Sequence, residues 1–301
     1  MQTTEVWSPN LRHDHVAPQI LLAAAVPALV VSLLLLDFAG VARALLLQQG
    51  VVAIVAIVAA SLWVRYSTKS SASATSLWLL LALAALICAP IFIDTASTPN
   101  RWLGFAGFRL YVAPLVLPLF LLVWHRVFSD SAARVMRAHI AAAALALGLA
   151  LQPDAAQLTA FAVAATALLG QSIVSRFTKL ISIAVLLLTV AVSWITPDSL
   201  VPVLYVEGVF TLAASYSHWM LLWALLAAAL PVIALLWLAT KMRCAGMLAV
   251  ALYLAVLYLL APVQVTPVPM LGFGAGSILG YFIMVSQARR IGTLAVQRRR
   301  I

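Results

Sequence analysis

The sequence predicts an all-α protein that crosses a membrane about ten times, with both termini on the cytoplasmic side. Three observations predict it. Of 301 residues, 65% are hydrophobic and only 9% are charged, which is too little polar surface to clothe a soluble fold. Apolar stretches long enough to span a bilayer recur along the whole chain instead of once. Lysine and arginine then segregate to alternate loops.

The apolar stretches are 18–36, 45–64, 76–93, 110–128, 135–151, 155–174, 180–196, 209–239, 244–262 and 270–288. The eighth is long enough to include an interfacial lead-in. An even number returns the chain to the side it left. With both ends inside, fifteen of the 18 Lys and Arg residues fall on the inner side, and only Arg43, Arg101 and Arg109 fall outside. That bias is the positive-inside signature. Acids run the other way: Asp37, Asp94, Asp154, Asp198 and Glu207 fall outside, against Glu5, Asp14 and Asp130 inside.

The chain thus reads as a single transmembrane domain over 1–301, with a cytoplasmic segment at 1–17 and a basic tail at 289–301. The opening residues lack the basic start, short apolar core and small-residue cleavage site of a signal peptide, so the first span is expected to be retained. The net charge of +10 follows from topology and needs no nucleic acid. The tail "RRIGTLAVQRRRI" is expected to anchor orientation and touch anionic membrane lipids. Cys88 and Cys244 lie in or beside apolar runs and suggest no disulfide framework. The five histidines lack zinc-site spacing.

The fifth and sixth spans meet at Gln152-Pro153-Asp154. Proline suits the first turn of a helix and a carboxylate suits its positive end, so a tight capped hairpin explains the tripeptide.

Three other outer segments are unusual. "DTASTPNRWLGFAGFR" at 94–109 holds Arg101 and Arg109 against the charge bias, beside an interfacial Trp102. Arginine suits phosphate, and a salt bridge to Asp94 or Asp154 is the plain alternative. "WITPDSLVPVLYVEGVF" at 194–210 is kept from being fully helical by two prolines and ends in Glu207-Gly208. A carboxylate at membrane level is a candidate general base, with a solvated loop acid as its alternative. "PVQVTPVPMLGFGAGSILG" at 262–280 resists one continuous helix. Its glycines serve close helix packing equally well. "GFGAGSILG" follows no strand and is not a dinucleotide fingerprint, and there is no Walker loop. A donor substrate is therefore expected to be lipid-linked and not nucleotide-linked.

In order, these segments resemble the shape, elongation, division and sporulation family typified by RodA and FtsW. "NRWLGFAGF" at 100–108 is similar to the family's "RRWIxLGxFxFQPSE", with Arg101 and Trp102 on its Arg-Trp. "LQPDAAQLTAFAV" matches "LQPDLGTAxxL" at Leu151, Gln152, Pro153 and Asp154. "LVPVLYVEGVFTLAA" stands where the family has "LPEAHTDFIFAVIxEE". "VTPVPMLGFGAGSILGYFIMVSQARR" resembles "VTGIPLPFISYGGSSLxxxxxxxGLLLxISRR". The order and loop positions agree across nearly the whole chain. The family's "QPSELAK" is replaced by "YVAPLVL" at 111–117, the loop before the eighth span is shorter, and "SYGGSS" becomes "GFGAGS".

The resemblance implies a peptidoglycan glycosyltransferase in a bacterial cytoplasmic membrane that polymerises lipid II, an undecaprenyl-diphosphate-linked sugar, with a class B penicillin-binding protein as partner. It implies catalytic roles for Glu207, which aligns with the family's essential Asp, and for Asp154. It implies substrate contacts for Arg101, Trp102, Arg109, Gln152 and Ser277. No cofactor is required by the pattern beyond a divalent cation, Mg or Mn, that Asp154 would help hold. The lost Lys-bearing motif leaves open a non-catalytic scaffold of a wall-synthesis complex. A flippase of lipid-linked sugars ranks below both, since no internal repeat is visible.

Overall fold

The computed structural model describes residues 13–66, 73–93, 100–105, 108–128, 130–198 and 200–297. They form eleven α-helices and one two-stranded hairpin. The helices are α1 (His13–Phe38), α2 (Arg43–Tyr66), α3 (Ser73–Ile93), α4 (Val112–Val127), α5 (Ala132–Leu151), α6 (Ala155–Gln171), α7 (Arg176–Ile195), α8 (Val209–Tyr216), α9 (His218–Met242), α10 (Ala245–Leu260) and α11 (Ala275–Gln297). Strands β1 (Trp102–Phe105) and β2 (Phe108–Tyr111) pair antiparallel, with Trp102 opposite Tyr111 and Gly104 opposite Arg109.

Seven of the helices are long and apolar enough to cross a membrane, which makes this a multi-pass membrane protein. Three more apolar helices are shorter: α4, α6 and the stretch Ala275–Ala288 of α11. At 16 and 17 residues, α4 and α6 sit at the short limit of a spanning helix, about 17 residues. They are also the most enclosed: nearly every side chain of α4 is buried, and α6 buries most of its length. In contrast, α7 buries only Leu186, Thr189 and Ser193, and turns Phe177, Leu180, Leu187, Leu188 and Ile195 outward. Lipid is as apolar as leucine, so such a rim carries no penalty there.

Because lipid supplies no hydrophobic drive between helices, small residues decide which backbones approach closely. Helix α10 packs along α6, and α11 packs along α4. A Cβ at Gly276 would run into the Tyr111 carbonyl, and one at Gly280 into the Pro114 carbonyl. The Gly-Ser-Ile-Leu-Gly spacing is therefore a helix-contact motif.

The expected eighth span, 209–239, is not one helix. The chain breaks at Ser217, whose backbone is extended (φ −170°, ψ 157°) and whose hydroxyl caps α9 by accepting the Met220 amide at 3.1 Å. A capping serine offers the backbone an alternative to continuing the helix. The expected tenth span begins five residues late, at Ala275, because 270–274 forms turns. The hairpin before α4 was not foreseen: the expected fourth span starts at 110, but the helix starts at Val112.

Candidate functional site

One end of the bundle gathers the hairpin, the α5–α6 turn, the α7–α8 loop and the loop before α11. Arg101, just before β1, is the node. Its Nε donates to the Gln152 carbonyl at 2.9 Å, and its Nη2 donates to the Pro153 carbonyl and to Asp198 Oδ2 at 2.8 Å. Arg101 is 3% exposed. Burial alone would lower its pKa; Asp154, then Tyr111 and Asp198, outweigh that and hold it above its ordinary value.

The α5–α6 turn is as tight as the sequence implied, but its parts act differently. Pro153 precedes the helix and is not in its first turn. Asp154 holds the N-cap position, yet its side chain makes no cap hydrogen bond. Its carboxylate turns instead to Tyr111, whose hydroxyl donates to Oδ2 at 2.5 Å. Oδ1 is buried with no hydrogen-bond partner among the described residues, although the Gln157 amide favours the charge of the group. Asp154 is fully buried, and burial raises its pKa against the opposing pull of Arg101 and Tyr111. Gln152, also buried, donates from Nε2 to the Ile87 carbonyl at 2.5 Å and so ties this turn to the end of α3.

Glu207 lies in the turn before α8. It is half-buried, and its Oε2 accepts the Val203 amide at 2.8 Å. Burial pushes its pKa up from 4.5, opposed first by that amide; Asp198 raises it further and Arg101 lowers it. Glu207 therefore lies within the electrostatic reach of the Arg101 cluster. The loop carrying it is stitched to the segment before α11: the Val206 carbonyl accepts the Val268 amide and the Tyr205 carbonyl accepts the Phe273 amide, each at 3.1 Å. Gly272 is required at this seam, since a Cβ there would meet the Val206 carbonyl. Gly274 adopts φ 149°, a conformation open to glycine alone.

The remaining candidates spread out. Trp102 is half-buried, its ring 5.7 Å from that of Tyr111. Ser277 opens α11 and accepts the Met270 amide at 3.3 Å, which makes it a local turn contact. Arg109 is exposed on β2 and makes no ion pair among the described residues. Asp94, one expected salt-bridge partner, lies outside the described residues; the partner Arg101 takes is Asp198. Among the described residues no group of three His, Cys, Asp or Glu side chains gathers at metal-binding distance.

The sequence reading missed Tyr111, Asp198 and two buried glutamines. Gln49 on α2 bridges the glycine loop, donating to the Gly272 carbonyl at 3.3 Å and accepting the Gly274 amide at 3.2 Å. Gln157 on α6 donates to Thr266 at 3.0 Å and accepts from the Tyr253 hydroxyl at 2.5 Å. Glutamines inside apolar helices were the available signal, because a polar group in a spanning segment needs a partner. The chain matches no family model and no curated protein.

Proposed function

We propose that the protein is a membrane glycosyltransferase of the RodA and FtsW kind, acting on an undecaprenyl-diphosphate-linked sugar such as lipid II in a bacterial cytoplasmic membrane. In this reading the chain crosses ten times, α8 and α9 share one crossing, both termini are inside, and the Arg101 end faces outward. The observation that carries it is the convergence of Arg101, Asp154 and Asp198, from three loops distant in sequence, on one end of an apolar bundle, with Glu207 on the same α7–α8 loop as Asp198. Ionisable groups buried inside a membrane domain, as Arg101 and Asp154 are, are costly and accordingly point to a site.

The reaction joins an acceptor sugar hydroxyl to the donor's anomeric carbon. The hydroxyl proton passes to Glu207 as the new C–O bond forms. The bond to the diphosphate breaks and the diphosphate leaves with its electron pair. A carboxylate with a raised pKa suits the base. Arg101 meets the leaving group once Asp198 swings aside, and exposed Arg109 on the same hairpin adds a second cation. One buried arginine among three carboxylates is net negative, which fits a diphosphate arriving with Mg or Mn.

A second reading, a non-catalytic scaffold that binds a class B penicillin-binding protein, is favoured by one observation. Arg101 is 3% exposed and its fork is engaged by the protein itself. Incubation of the purified chain with lipid II, with and without such a partner, followed by glycan-length analysis separates the two. Strand synthesis that Glu207→Gln abolishes while the protein still inserts supports the enzyme; synthesis that survives the substitution rules out this base. No synthesis under any condition, with the partner still captured, leaves the scaffold.

A further inference from the structure

Gln49 lies in the second turn of α2 and is 3% exposed. A buried amide in a spanning helix is costly unless it is partnered. Both of its partners are backbone groups of the loop before α11: Nε2 donates to the Gly272 carbonyl at 3.3 Å, and Oε1 accepts the Gly274 amide at 3.2 Å. These two bonds flank Phe273, the residue that joins the loop to the turn carrying Glu207. The Phe273 amide donates to the Tyr205 carbonyl at 3.1 Å, and its ring meets the Tyr205 ring edge-on, with centroids 6.4 Å apart. Nearby, the Val268 amide donates to the Val206 carbonyl at 3.1 Å.

Tyr205 and Val206 immediately precede Glu207. The Val206 and Glu207 amides both donate to the Val203 carbonyl at 2.9 Å, and the Val203 amide donates to Glu207 Oε2 at 2.8 Å. The carboxylate is thus fixed by its own turn, the turn by the glycine loop, and the loop by Gln49. The loop has little hold of its own at this point. Met270 and Gly274 take positive φ of 59° and 149°. Among the described residues, the other side chains bonded to the backbone of 268–274 are Ser277, on Met270, and Tyr258, on Pro269, and both stop short of Gly272.

We propose that Gln49 is a positioning residue for Glu207: through the Gly272–Gly274 loop it holds the Tyr205–Glu207 turn, and with it the Glu207 carboxylate, in place. The placement stands without the glycosyltransferase reading; its effect on rate rests on that reading, with Glu207 as the base.

The test uses the full-length protein in lipid nanodiscs. Gln49→Met keeps the side-chain length, suits a spanning helix and removes both bonds. Hydrogen exchange at 203–208 and at 268–274 is expected to rise at least tenfold, with the α5–α6 turn at the wild-type level. Gln49→Glu, which offers one donor and one acceptor when its carboxyl is protonated, is expected to restore protection. Gln49→Asn, one methylene shorter, takes the place of Gln49→Met where the latter loses its helicity. A contact that only satisfied two backbone groups would lower stability and leave the titration of Glu207 untouched. Burial raises the Glu207 pKa, so the gain in melting temperature of Glu207→Gln over its parent climbs with pH. In the Gln49→Met background that climb is expected to fall to roughly half or less, because a freed carboxyl is solvated again. Asp198 and Arg101, the charged groups that act on Glu207, are the same in every variant. Where the wild type makes glycan strands, kcat of Gln49→Met is expected to fall about tenfold to a hundredfold with KM near the wild-type value. A climb of wild-type size in Gln49→Met, or unchanged exchange at 203–208, overturns the proposal whether or not the wild type makes strands. A wild type that makes none, with both effects present, overturns only the glycosyltransferase reading.

Discussion

The Tyr111 hydroxyl donates to Asp154 Oδ2 at 2.5 Å, with both side chains buried, and joins the start of α4 to the α5–α6 turn. The other carboxylate oxygen has no hydrogen-bond partner among the described residues. Tyr111→Phe removes one donor and leaves both oxygens unsatisfied, an outcome that costs about 1–3 kcal/mol for a buried group. Thermal unfolding in detergent is expected to fall accordingly. If the bond is the cause, Asp154→Leu and the double variant together close a cycle with a coupling of at least ~0.5 kcal/mol; additive losses would assign the effect to packing alone.

Arg101 and Asp198 are partners of unequal burial, 4% against 29% exposed at the side chain. The asymmetry predicts unequal losses. Asp198→Asn leaves Arg101 bonded to the Gln152 and Pro153 carbonyls and costs about 0–1 kcal/mol, the scale of an ion pair with one solvated member. Arg101→Met strips two carbonyls and leaves Asp154 without its compensating charge, an outcome on the order of 3–5 kcal/mol. Arg101→Lys is expected to rescue only part of this, because one ammonium does not reproduce the fork that reaches three acceptors. Chemical denaturation of the three variants checks the order; equal losses would contradict it.

Most of the bundle was legible because long apolar runs have one reading at membrane length. The break at Ser217 was not, since 209–239 is apolar throughout and serine is tolerated inside helices; only its cap on Met220 reveals the end of α8. The hairpin was hidden because Gly104 and Gly107 read as loop and its strands are only four residues each. At the site, Asp154 was legible as one of two acids that could face Arg101, and it does lie close to it, but the ion pair goes to Asp198. Asp198 stayed hidden because a carboxylate in a proline-rich loop looks solvated, and its partner lies 97 positions earlier. Gln49 acts on a glycine loop 223 positions away, a pairing that no local pattern carries.

Burial raises the folded-state pKa of Glu207 above 4.5. The folded protein then holds this proton more tightly than the unfolded chain. The associated stability is fully present below 4.5 and is lost as pH rises through the folded value. Glu207→Gln, neutral throughout, is spared that loss. Its melting temperature relative to wild type is therefore expected to climb as pH is raised from below 4.5 toward neutrality, and a flat difference would contradict the raised pKa. If Glu207 is also the base, the same variant is inactive where it is most stable, and the acid limb of the wild-type rate is shifted upward from that of an ordinary glutamate.

Gly280 approaches the Pro114 carbonyl so closely that even a methyl group cannot be seated without moving backbone. The atom it would meet belongs to the first turn of α4, three residues past Tyr111, so strain at Gly280 is transmitted toward the Tyr111–Asp154 hydrogen bond. Gly280→Ala is expected to cost about 1–3 kcal/mol as an overpacked contact. Ser277→Ala, between the two glycines, loses only the acceptor for the Met270 amide and costs about 0.5–1.5 kcal/mol. The two substitutions separate in a second readout. Hydrogen exchange at the α5–α6 turn is expected to rise in Gly280→Ala and to stay at the wild-type level in Ser277→Ala. Unchanged exchange in both would mean that α4 absorbs the strain locally and that the glycine contact is independent of the Asp154 end.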